Sequence, residues 1–123
     1  MRTLRADALR TLVARACKRM GAGPDDAQHV AGSLVNADLS DYASHGVFRL
    51  AQYHEWWKRG LLKPESKPIV GAERGFAVQV DGQFAFGQVV ARFSTKIATD
   101  RARGAGIAVV TANRCNHVGR LAD

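Results

Sequence analysis

Between Leu61 and Pro68 the period of the apolar residues changes, and that change constrains the fold more than any single motif. Before it, apolar side chains recur at steps of three and four, as an amphipathic helix requires. After it they alternate, as a half-buried strand requires. The prolines Pro64 and Pro68 make the segment between a connector rather than a regular element. A helical portion, residues 1–66, is therefore expected to lead into a mixed α/β portion, residues 67–123.

In the helical portion Leu9, Leu12, Val13, Ala16, Cys17 and Met20 form one stripe, stopped by Gly21 and Gly23. Pro24, with Asp25 and Asp26 in the first turn, opens a second helix whose stripe is Ala27, Val30, Ala31, Leu34 and Val35. Ser44 is a good N-cap for a third helix ending at Gly60, with Val47, Leu50, Ala51 and Trp57 on its buried side. Beyond the connector, Phe76, Val78 and Val80 alternate, Asp81-Gly82 intervenes, and Phe84 and Phe86 alternate again, which predicts a hairpin turning at Asp81-Gly82. A helix over 88–103 comes next, burying Val89, Val90, Phe93 and Ile97 and stopped by Gly104. The continuous apolar run Ile107–Val110 reads as a strand buried on both faces. A polar loop directly after such a strand is where ligands gather in open α/β sheets. With no further strand to pair, the chain reads as part of a longer domain.

Composition narrows the partners. Apolar residues at 46% and charged residues at 24% are globular values, so the chain can bury a core. The net charge of +7 admits anionic partners, but no block of like charges occurs, and basic and aromatic residues interleave only around 53–59. Nucleic acid is therefore not the expected partner. The chain has neither a secretory h-region nor an apolar run long enough for a bilayer, so no membrane partner is expected. Cys17 and Cys115 stand apart, as reduced thiols of a cytoplasmic protein do.

Two short constellations could carry chemistry. In Ser44-His45-Gly46-Val47-Phe48-Arg49, with Tyr53 beyond, positions 45, 49 and 53 would share one helix face opposite the apolar stripe. An imidazole that exchanges a proton near neutral pH and a guanidinium that matches a carboxylate could together hold a hydroxy acid. An ordinary solvated face explains the same spacing. The second, Asn116-His117-Val118-Gly119-Arg120, comes after the predicted buried strand, where a histidine could meet a ligand and Gly119 would admit close approach of backbone. His117 could equally hydrogen-bond the loop itself. His45, His54, Cys115 and His117 match no common zinc spacing, so no metal is expected. Gly104-Ala105-Gly106 lies between a helix and a strand, the reverse of the Rossmann order, and lacks its third glycine.

Ala37-Asp38-Leu39, Ser44-His45-Gly46-Val47, Arg49-Leu50 and Tyr53, then Gly60 with Pro64, Val80-Asp81-Gly82, Gly87-Gln88, residues 101–107 and Asn116-His117-Val118-Gly119-Arg120 stand in a familiar order. Together they resemble the malate/L-lactate dehydrogenase family, the type-2, non-Rossmann group. That group also holds ureidoglycolate, sulfolactate and piperideine-/pyrroline-carboxylate oxidoreductases. The resemblance runs over nearly the whole chain but only about the first third of the family.

The resemblance implies an α+β (mixed α/β) fold, three helices leading into the hairpin, helix and strand that begin a non-Rossmann NAD(P)-binding domain. It implies NAD or NADP as cofactor, a small 2-hydroxy, 2-keto or imino acid as substrate, and a homodimer at full length. It implies that Arg49 holds the substrate carboxylate, helped by Ser44 and Tyr53, that His45 or His117 exchanges the proton, and that Gly119 and Arg120 approach the cofactor. Ser40-Asp41-Tyr42-Ala43 departs from the Arg-Gly that the family usually carries there, which bears on how substrate is admitted. A small basic helical module that binds nucleic acid or a protein, and an inactive remnant of the family, remain the alternatives.

Overall fold

The computed structural model describes residues 3–121. Its elements are α1 (Ala6–Arg19), α2 (Pro24–Leu39), a 3-10 turn (Ala43–His45), α3 (Arg49–Lys58), β1 (Ile69–Arg74), β2 (Ala77–Asp81), α4 (Gly87–Ala105) and β3 (Val109–Asn113). The mixed helix-and-sheet class is the one that the change of period requires.

The first two helices pack against each other as their stripes dictate. Val13, Ala14 and Cys17 of α1 meet Ala27, Val30, Ala31 and Leu34 of α2 in one apolar cluster, while Leu12, expected in the stripe, is exposed. Asp26 is buried in the first turn of α2 and is bonded by Arg92 Nη2 at 2.8 Å and by Lys67 Nζ. These cations compensate its charge and tie α2 to α4 and to the connector. Phe86 and Val89 join the helical cluster, so both halves of the chain share one core.

The third helix differs from expectation. The chain does not run helically from Ser44: a 3-10 turn covers 43–45, Gly46 is extended (φ −85°, ψ −163°), and α3 begins at Arg49. The cause is Asp38, whose Oδ2 accepts the Val47 N–H at 2.9 Å. Its carboxylate fills the space at Gly46, where a Cβ would stand 1.8 Å from Oδ1. Within α3 the inward face carries Tyr53, 1% exposed, and not Ala51 or Trp57, which lie outside, while Val47 and Leu50 are half-buried.

The hairpin exists, but it turns at Gly75-Phe76 and not at Asp81-Gly82. β1 and β2 pair antiparallel from Ile69↔Asp81 to Arg74↔Ala77, with an irregularity between Val70 and Glu73. Phe76 therefore sits exposed at the turn. Asp-Gly does mark a turn, but one that leads from β2 into α4. The sheet order is β1-β2-β3, with β2 and β3 parallel from Ala77↔Val109 to Asp81↔Asn113 across the α4 connection. α4 ends at a left-handed Gly106 (φ +80°), two residues beyond the expected Gly104. It covers the sheet through Val90, Phe93 and Ile97 against Val80, Val110 and Cys115. β3 is the sheet edge in this chain, with Val109 exposed and Val110 half-buried, so burial on both faces is not observed. A continuous apolar run cannot by itself distinguish a central strand from an edge strand.

Candidate functional site

Four segments converge where the 3-10 turn, the start of α3, the start of α4 and the loop after β3 meet. His45 and His117 face each other with ring centroids 5.1 Å apart. Ser44 Oγ lies 2.9 Å from His45 Nδ1. Arg49 Nε donates to the Ser44 carbonyl at 2.7 Å and Nη1 to Gln52 Oε1 at 2.8 Å. The guanidinium is thus locked in place, and among the described residues its Nη2 is left to meet an anion.

His117 is held from below. Tyr53 Oη lies 2.7 Å from His117 Nδ1, and Gln88 Nε2 donates to the same phenol oxygen at 2.7 Å. Gln88 is only 2% exposed. Burial first, then the positive charge of Arg49 and the neighbouring His45, push the His117 imidazole below its ordinary range. Burial pushes the Tyr53 phenol up to about 12, so it stays a neutral hydroxyl. Tyr53 therefore does not lie on an exposed face with His45 and Arg49; it sits under His117.

The loop that carries His117 is pinned along the stretch that leads into it. Asn116 Nδ2 donates to the carbonyls of Phe84 and Ala85 at 3.0 and 3.2 Å and to that of Leu61 at 3.2 Å. Asp81 binds Arg114, and the Gly82 and Phe84 amides donate to the Asn113 and Arg114 carbonyls at 2.9 and 2.8 Å. The loop crosses α4 where only glycine fits: a Cβ on Gly87 would stand 2.1 Å from the His117 carbonyl oxygen. Backbone strain gathers nearby, with left-handed φ at Gln83, Phe84 and Arg114.

Gly119 (φ +75°) packs on Ser33 and Gln88, and Arg120 lies over the Tyr42 ring at 5.6 Å. Tyr42 in turn meets His45 edge-on at 5.1 Å, and Asp41 before it is left-handed (φ +58°). The segment that departs from the family pattern is thus part of the site's wall. A cleft of about 450 Å³ opens between α2 and α4, lined by His29, Ser33, Asn36, Gln88, Arg92 and Arg120 among others. His117 Nε2 and Gln88 Oε1 are buried without a hydrogen-bond partner among the described residues, as expected of polar atoms that await a bound group. The cleft's own cationic and amide side chains, Arg92, Arg120, Asn36 and Gln88, are of the kind that fits the polar carboxamide end of a nicotinamide. No group of three metal-ligating side chains forms among the described residues.

Sequence reasoning singles out His45, Arg49 and His117, and the structure assembles them. Asp38 and Gln88 stand only within the motifs of the resemblance, with no role of their own: Gln88 reads as one polar residue in an apolar helix start, and the part of Asp38 in shaping the turn leaves no local signature.

The sequence profile of the malate/L-lactate dehydrogenase family matches residues 4–123. The chain belongs to that family. It is 32% identical over 116 residues to hydroxycarboxylate dehydrogenase B of Escherichia coli K12, covering 94% of this chain and 32% of that protein. It is 36% identical over 113 residues to a malate dehydrogenase of Pyrococcus horikoshii, covering 92% and 31%. Among solved structures, the sulfolactate dehydrogenase of Methanocaldococcus jannaschii superposes with a TM-score of 0.90 at 30% identity, covering 94% of this chain and 34% of that one. This family member therefore spans about a third of the length of the relatives it matches. No helix among the described residues is long and apolar enough to cross a membrane.

Proposed function

We propose that this chain carries the substrate-anchoring and proton-exchanging part of an NAD(P)-dependent 2-hydroxy acid dehydrogenase. The observation that carries the reading is the pair of imidazoles at 5.1 Å beside a guanidinium fixed by two hydrogen bonds. Names of relatives that specify malate, sulfolactate, hydroxycarboxylate and pyrroline-carboxylate point to the same substrate class, a small acid with a reducible C2.

Arg49 Nη2 binds the carboxylate, with the Ser44 hydroxyl beside it, and C2 and its oxygen sit at the rim of the imidazole pair, within reach of a nitrogen of each. One histidine takes the hydroxyl proton as the C2–O bond gains double-bond character, and the other donates a hydrogen bond to that oxygen. In the reverse direction the same proton returns to the oxygen. NAD or NADP, when bound, accepts or supplies the hydride at C2. Gly119 and Arg120 are the residues here that would meet it, beside the cleft between α2 and α4. On this reading residues 1–66 form the substrate side, residues 67–123 begin the cofactor domain, and the full-length protein works as a cytoplasmic homodimer.

The test is turnover by the full-length protein, monitored by nicotinamide absorbance with malate, lactate and sulfolactate. Hydrogen bonds to charged groups contribute about 1.5–3 kcal/mol. Arg49→Ala should therefore raise KM by about 10- to 100-fold, with Arg49→Lys in between. A KM unchanged in Arg49→Ala would refute the carboxylate role.

A further inference from the structure

We infer that Gln88 and Tyr53 act as positioning residues that hold neutral His117 with its proton on Nε2, making His117 a hydrogen-bond donor to the substrate oxygen and leaving proton exchange to His45. This rests on the dehydrogenase reading for the substrate roles, but the proton arrangement itself rests on geometry alone.

The argument is one of donors and acceptors. The Gln88 amide nitrogen can only donate, so the Tyr53 oxygen accepts at 2.7 Å. The phenol's own proton then has one place to go, His117 Nδ1, also at 2.7 Å. An Nδ1 that accepts carries no proton, so the neutral ring carries it on Nε2. Reversing the Gln88 amide would put both its N–H donors where Oε1 now finds no partner. Orphaned buried donors are rarer than orphaned carbonyl oxygens, so the orientation with Nε2 on Tyr53 is the favoured one.

This arrangement resists a second proton on His117. An imidazolium would donate from Nδ1 to the Tyr53 oxygen, which would then receive two donors while its own proton lost its acceptor in a buried site. The depressed basicity of His117 points the same way. His117 Nε2, buried and without a partner among the described residues, is therefore an N–H ready for an oxygen that develops charge. His45 faces different constraints. Its Nδ1 meets the Ser44 hydroxyl, which can donate or accept, so His45 can cycle between protonation states without stranding a group.

The experiment is long-range 1H–15N spectroscopy of histidine-labelled full-length protein above the histidine titration range, with the His117 signals identified by their loss in His117→Asn. A bare Nδ1 and a protonated Nε2 in the wild type support the inference, and a protonated Nδ1 overturns it. Tyr53→Phe and Gln88→Leu should each shift the His117 signals towards a mixture of tautomers. Unchanged signals in both would also overturn the inference. In kinetics, Tyr53→Phe should lower kcat tenfold or more with KM within about twofold, because the carboxylate anchor is untouched. His45→Ala should remove the limb of the pH profile that His117→Gln retains; the reverse pattern overturns the assignment of roles. A protonated Nε2 in a protein that turns over none of the three acids would support the relay while refuting the dehydrogenase reading.

Discussion

Gly87→Ala is the most exacting single change the structure offers. A Cβ there would lie 2.1 Å from the His117 carbonyl oxygen and 2.3 Å from that of Asn116, and both obstacles are backbone. No rotamer change relieves such a contact, so the loop must retreat by about 1 Å in a close-packed site. Overpacking of this kind costs about 1–3 kcal/mol of stability. The loop also carries His117, and displacement of a reacting group by 1 Å can cost about 10²-fold in turnover. The retreat stretches the 2.7 Å bond from Tyr53, so activity should fall further than stability alone explains. Gly104→Ala provides a matched control in the same helix: nothing lies within 4 Å of its Cβ and its backbone is not left-handed. It should gain up to about 1 kcal/mol from reduced chain entropy and keep wild-type kcat/KM. Both variants are to be compared by urea denaturation and by turnover of the full-length protein. Gly87→Ala with kcat/KM within twofold of wild type would refute the claim that the glycine is needed to seat His117.

Three further outcomes rest on the same geometry. Lys67→Ala with Arg92→Ala strands the buried Asp26 carboxylate and should cost about 3–5 kcal/mol in chemical denaturation, far more than either change alone; additive small losses would argue against a compensated buried charge. Cys17 is wholly buried with its thiol pushed up to about 12, and burial also raises the half-buried Cys115, so a disulfide reagent near pH 8 should leave native Cys17 intact and react with Cys115 only slowly. Arg114, then the Gln83 amide, hold the Asp81 carboxyl down to about 2. Because that lies below its unfolded value of about 3.9, the stabilisation is present above this value and is lost as pH falls through about 2. Denaturation curves of wild type and Asp81→Asn should therefore converge on acidification, and a constant gap would contradict the pairing.

Much of this is legible in the sequence, for identifiable reasons. α2 can be read residue by residue because Pro24 fixes its start and five apolar residues at helical spacing fix its face, all of them buried. The candidate residues His45, Arg49 and His117 are legible as motifs, though not as a cluster, because His117 is distant in sequence from the other two. The features that escape the sequence depend on contacts between distant segments. The break at Gly46 requires the Asp38 carboxylate, which no local propensity reports. The Asp-Gly pair announces a turn correctly, but the element beyond a turn is set by strand pairing, and here the next partner of β2 is β3, reached through α4. Helical spacing keeps Arg49 and Tyr53 one turn apart but does not say which face of α3 packs inward; contacts with Phe86 and His117, distant in sequence, decide that for Tyr53, and the break before α3 takes His45 off the helix.

These misses have a common location, the seam between the helical half and the sheet. Phe86 and Val89 close that seam by ordinary apolar burial, but the contacts around His117 are of another kind. There the chain uses a glycine with no room for a methyl, an amide buried to 2%, a buried phenol and an asparagine spanning three carbonyls. An apolar seam of the same volume would pack as well without the risk of unsatisfied polar atoms. Polar groups in such a place fix one arrangement among many that burial alone would tolerate. The arrangement they fix is the height and rotation of one imidazole above Tyr53. The seam is therefore where stability was given up for geometry, which is why local sequence rules fail there and why the candidate site lies there.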